Sequence, residues 1–94
     1  MTFDEITGKI QHLAATKGGV GKTIKFQTDQ GPIVVHPDGQ VSNQDAEADT
    51  TIGISVADLN KLMAGELNPM TAVMFGKIKI SGDMGVAMQL QSLF

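Results

Sequence analysis

Thr50-Thr51-Ile52-Gly53-Ile54-Ser55-Val56-Ala57-Asp58-Leu59-Asn60-Lys61-Leu62-Met63-Ala64-Gly65 changes its apolar period halfway along, and that change decides the fold class. Up to Ile54 the apolar side chains alternate, as in a strand with Ile52 and Ile54 on one face. From Val56 they recur at helical spacing in Val56, Leu59, Leu62 and Met63, and Gly65 stands where such a helix stops. Ser55 sits at the junction, with Asp58 three residues on, and its hydroxyl is placed to cap the helix. Strand running into amphipathic helix predicts an α+β domain.

Upstream, Thr2 and Glu5 have the spacing of a capping box, and Phe3, Ile6, Ile10 and Leu13 follow at helical intervals. The spacing predicts a first helix of about four turns. Thr23-Ile24-Lys25-Phe26-Gln27-Thr28 alternates as a half-buried strand. Gly31-Pro32 is expected to turn the chain into a second strand, Ile33-Val34-Val35-His36. Pro37-Asp38-Gly39 supplies a tight turn, and Gln40 to Asn43 reads as a weak third strand, so this stretch forms an antiparallel meander.

Downstream, Asn68-Pro69 opens a third helix, because Asn caps well and Pro is tolerated at the first helical position. That helix carries Met70, Val73, Met74 and Phe75 and stops at Gly76. Lys77-Ile78-Lys79-Ile80-Ser81 alternates strictly, predicting a fifth strand with both isoleucines inside and both lysines out. Asp83 then caps a fourth helix from Met84 to Phe94, whose apolar side chains spread over an arc of roughly 220°. A single sheet does not cover so wide an arc, so the helix either borders a ligand-filled cavity, meets a partner subunit, or is buried between the sheet and neighbouring helices.

Length and composition bound the function. At 94 residues the chain fits one domain, read as 1–94, with room for one core. No stretch approaches a membrane span and the start lacks the pattern of a signal peptide, so a cytoplasmic location is expected. With no cysteine there is neither disulfide framework nor thiolate nucleophile. A net charge of −3, with seven lysines and no arginine, argues against nucleic acid as a partner.

Three motifs invite a sharper reading. Lys17-Gly18-Gly19-Val20-Gly21-Lys22-Thr23 matches a deviant phosphate loop, but such a loop follows a strand and precedes a helix, whereas here a helix precedes and a strand follows. Nucleotide binding through 17–23 is therefore the distant third reading. Asp45, Glu47 and Asp49 alternate like calcium-loop ligands, yet Thr50 and Val56 stand where Gly and Glu are needed. His12 and His36 lack ligand-spaced partners, so no metal or other cofactor is expected, and nothing assembles a catalytic constellation.

The segment from Ala48 to Phe94 resembles the type-two sterol carrier proteins, the nonspecific lipid-transfer family. The matching residues are Ala48-Asp49-Thr50-Thr51, Asp58-Leu59, Gly65, Leu67-Asn68-Pro69, Ala72, Met74, Gly76 to Ile80, Gly82 to Gly85, Ala87-Met88 and Leu90-Gln91. Gly21 to Phe26 is similar to the family's entry into its first strand. The resemblance implies a five-stranded, mostly antiparallel sheet with about four helices over one face, enclosing an apolar cavity for a fatty acid, fatty acyl-CoA or sterol. Gln89 stands where many members carry lysine, and Ser92-Leu93-Phe94 is not the peroxisomal address of the animal proteins.

The implied function is non-catalytic lipid binding and transfer. A void of ~300 Å³ left empty costs about 7 kcal/mol at ~24 cal/mol per Å³, comparable with the whole stability of a small domain. Such a cavity must be filled or closed. Helical position and the family together nominate Met63, Leu67, Met70, Met74, Phe75, Met84, Met88 and Leu90 as lining residues, methionine being suited to close over a void and reopen. Lys17, Lys22, Lys77 and Lys79 are candidates for acyl-CoA phosphates at its mouth. Transient membrane contact is compatible with this role. The rival reading is an interaction module whose apolar terminal helix forms a homodimer with the cavity closed.

Overall fold

The computed structural model describes residues 1–17, 21–83 and 85. Helix α1 (Phe3–Lys17) is followed by β1 (Ile24–Thr28), β2 (Gly31–Val35), β3 (Val41–Ser42) and β4 (Thr50–Gly53). Then come α2 (Val56–Met63), α3 (Pro69–Met74) and β5 (Lys79–Gly82). The expected fourth helix falls at positions that, apart from Gly85, lie outside the described residues.

The five strands form one sheet in the order β3-β2-β1-β4-β5. β1–β2, β2–β3 and β4–β5 pair antiparallel, while β1 and β4 run parallel, so the sheet is mostly antiparallel as expected. The parallel pair ends the simple meander: β4 returns to the other side of β1. Its start is pinned by Thr23, whose carbonyl accepts from the Asp49 and Thr50 N–H groups while its own N–H donates to the Asp49 carboxylate at 2.8 Å.

One face of this sheet makes the core. Across the strands, Ile24 faces Val35 and Thr50, Phe26 faces Ile33 and Ile52, and Ile52 faces Ile80. All of these except Ile80 are buried, and Ile80 packs half-buried against the cluster. Helix α1 adds Ile6, Ile10 and Ala14, each with no exposed surface, while Phe3 and Leu13 flank them. Its capping box forms, the Thr2 N–H donating to Glu5 Oε1 and the Glu5 N–H to Thr2 Oγ1.

Several strand boundaries differ from those expected, and two of the differences have a visible cause. The first turn lies at Asp29-Gln30 and Gly31-Pro32 already belong to β2. The Thr28 hydroxyl closes that turn early, donating to the Gly31 carbonyl at 2.6 Å and accepting from the Gln30 N–H. Likewise β5 begins at Lys79 rather than Lys77. The Lys77 and Ile78 N–H groups both donate to the Ala72 carbonyl, which holds them to the end of α3 instead of the ladder.

Candidate functional site

Helices α2 and α3, with the start of β5, form the part of the fold that carries the expected lining residues. α2 starts where Ser55 accepts the Asp58 N–H at 3.1 Å, and Asp29 from the first turn accepts the Val56 N–H at 2.8 Å. Val56 and Leu59 enter the core, with Leu62 and Met63 half-buried beside them. Gly65 takes φ +78°, a left-handed conformation that ends the helix. The chain passes through half-buried Leu67 to Asn68, whose carboxamide oxygen accepts from the Met70 and Thr71 N–H groups and starts α3.

α3 is only six residues long and buries one side chain, Ala72. At 100° per residue, Met70, Val73 and Met74 point away from Ala72. They are exposed accordingly: Met70 by 64%, Val73 by 40% and Met74 by 83%, with Phe75 at the helix end exposed by 75%. The structure thus divides the expected lining set. Met63 and Leu67 lie against the core, whereas Met70, Met74 and Phe75 form an apolar face turned away from it. Met84, Met88 and Leu90 lie outside the described residues.

The electrostatic surroundings are set by lysines. Lys22 forms an ion pair with Asp83 at 2.6 Å, which raises the lysine pKa through the hydrogen bond first and the carboxylate charge second. Lys25 pairs with Asp45 at 2.9 Å and holds that carboxyl below its ordinary pKa, again chiefly through the hydrogen bond. Lys77 and Lys79 are exposed and have no side-chain partner among the described residues. Asp49 is taken up by the Thr23 N–H, so two of the three alternating acids serve contacts within the fold. Lys22 and Thr23 of the glycine string lead into β1, with α1 ending before it, which is the order opposite to that of a phosphate loop.

Surface depressions occur at His36, Pro37, Asp38 and Gln40, and at Lys25, Asp45, Ala46 and Glu47; neither contains an expected lining residue. The outward turn of α3 was not legible from periodicity, because six residues give too few turns to define a face. Ala72, the one small apolar residue of that helix, was the available signal: a close approach to the core selects it over Met or Val. Asp29 as a cap for α2 and Asp83 as partner for Lys22 were equally hidden, since each acts across more than 25 positions of sequence.

Comparison with known proteins bears on the whole chain. Residues 3–94 match the SCP-2 sterol transfer family. Sterol carrier protein 2 of Gallus gallus is 38% identical over 99% of this chain, and that of Oryctolagus cuniculus 40% identical over 99%. The chain spans only 19% of the length of each of these relatives. Among solved structures, sterol carrier protein domain 2 of Helicoverpa armigera superposes with a TM-score of 0.78 at 30% identity, covering 97% of this chain and 83% of that one. Sterol carrier protein 2 of Aedes aegypti in complex with palmitate superposes at 0.82, covering 98% and 94%, and at 19% identity it speaks for the fold. With the family model matching residues 3–94, and relatives 38–40% identical over 99% of the chain, the chain belongs to the SCP-2 sterol transfer family.

Proposed function

We propose that this chain is a lipid carrier, binding a fatty acid, fatty acyl-CoA or sterol in an apolar cavity without transforming it. The observation that carries the reading is the family match over residues 3–94. The fold shared with a relative solved in complex with palmitate supports a fatty acid as one cargo. In this reading Met63 and Leu67 form the inner wall, where the core ends. Met70, Met74 and Phe75 form the mouth, and Met84, Met88 and Leu90 complete the lining. Flexible thioether side chains suit a wall that must close when empty and open for chains of different shape.

The test is displacement of a fluorescent fatty acid from delipidated protein by palmitate, palmitoyl-CoA or cholesterol, with ATP as control. Saturable binding displaced by one lipid class supports the reading and identifies the cargo. Met63→Gln and Leu67→Gln should each weaken it on the order of tenfold, the burial of one apolar side chain amounting to about 1.5–3 kcal/mol. A folded protein that binds none of the three overturns it.

A further inference from the structure

The three lipid classes named above differ at the head. A fatty acid or a sterol ends in one carboxylate or one hydroxyl, whereas fatty acyl-CoA carries a diphosphate and a phosphomonoester, groups that a protein holds by bringing several cations together. The chain has no arginine, so its seven lysines are the whole supply of permanently charged cations. Residues 18–20 and 84–94 contain no charged side chain, so the terminal segment brings no lysine to a cavity.

The sheet keeps these lysines apart. Met63 and Leu67 pack against the core, on the face of the sheet that holds Ile52 and Ile80 and that the helices cover. Lys79 is the strand neighbour of Ile80 and pairs with Gly53, so it projects from the opposite face. Lys25, between Ile24 and Phe26, projects from that opposite face as well and is paired there with Asp45. Lys22 stands before β1, at the end of the sheet away from Lys79. Its ammonium lies 2.6 Å from the Asp83 carboxylate, so a phosphate arriving there meets an anion as well as a cation. Lys9 and Lys17 belong to α1, which packs over β2 and β3 at the far edge of the sheet from β5. There remain Lys61 on α2 and Lys77 after α3, and the same part of the chain carries Asp58 and Glu66.

We infer that the cavity selects a lipid with a small head, a fatty acid or a sterol, over fatty acyl-CoA. This selection rests on the carrier reading and narrows its cargo. Lys22, Lys77 and Lys79, candidates for phosphate contacts from the sequence, lie on different faces and ends of the sheet and do not converge on one head. A chain of net charge −3 also repels a polyanionic head group more than a single carboxylate or a hydroxyl.

The test compares palmitate, cholesterol and palmitoyl-CoA, the last kept below its micelle threshold, as competitors for a fluorescent fatty acid on delipidated protein. Palmitoyl-CoA should bind at least several-fold more weakly than the better of the other two. Relative to palmitate, its affinity should hold or rise as salt is added, because salt screens repulsion; a phosphate held by lysines gives the opposite sign. Lys22→Gln and Lys79→Gln should leave the palmitoyl-CoA to palmitate ratio unchanged. Palmitoyl-CoA binding as tightly as the better of the other two, losing affinity relative to palmitate with salt, or weakening selectively in K22Q or K79Q overturns the inference and leaves the carrier reading standing. Failure of all three lipids to displace the probe removes both.

Discussion

Lys22 and Asp83, 61 positions apart, form an ion pair of 2.6 Å that ties the segment entering β1 to the residue following β5. Around it, the Asp83 N–H donates to the Asp49 carbonyl and the Thr50 hydroxyl donates to the Asp83 carbonyl. The far edge of the sheet and the start of the chain's last segment are thereby held to its centre.

Both partners are substantially exposed, by 51% and 37%, so solvent screens the attraction. Lys22→Gln should lower the melting temperature only slightly at neutral pH. The sign of the pH effect follows from the raised lysine pKa: the contribution is complete below the ordinary lysine value and is lost as pH rises through the folded one. For Asp45, whose pKa is lowered, the contribution is present above the ordinary carboxylate value and is lost as pH falls through the folded one. Thermal melts of K22Q and K25Q against wild type should therefore converge with it at opposite ends of the pH scale.

Gly82 and Gly65 share a positive φ, +97° and +78°, but not their surroundings. A Cβ on Gly65 meets open space, whereas one on Gly82 overlaps the Asp49 carbonyl oxygen. Gly65→Ala should cost about 1–2 kcal/mol for the left-handed backbone alone. Gly82→Ala should cost clearly more and loosen the β4–β5 pairing, visible as faster exchange of the Asp83 amide, which donates to the Asp49 carbonyl. Equal losses in the two variants would contradict the packing at Asp49.

Leu59 has no exposed surface and joins α2 to the sheet. Leu59→Ala should destabilise by about 2–5 kcal/mol in urea titration. Ala72 is equally buried but small, so the expected fault is overpacking: Ala72→Leu should cost about 1–3 kcal/mol and displace α3. Removing the α2 cap by Ser55→Ala should cost about 1 kcal/mol.

A lipid that binds only the folded chain must raise its stability. At a free concentration 100 times Kd the gain is about 2.7 kcal/mol, enough to raise the melting temperature by roughly 10–20 °C in a domain of this size. Palmitate should produce that rise in delipidated protein, and ATP should produce none.

Much of the fold was legible in the sequence because its signals are local. The Thr2–Glu5 box, the change of period at Ser55, the Asn68-Pro69 start and the alternation through Ile78 and Ile80 each lie within a few residues, and each marks an element that forms. Family identity was carried by the order of residues from Ala48 onward, and the match over residues 3–94 bears it out. Element boundaries shifted where a neighbour captured the backbone, as Thr28 did at the first turn and Ala72 at the start of β5.

What only the tertiary structure decided are relations between elements distant in sequence. That β4 runs parallel to β1 follows from Thr23 meeting Asp49 and Thr50, a contact no local pattern encodes. That α3 turns Met70, Val73 and Met74 outward follows from Ala72 occupying the one place where the helix touches the core. Apolar periodicity states that a side chain prefers to leave water; which surface receives it depends on the packing of the whole chain, and in six residues that packing has the deciding vote.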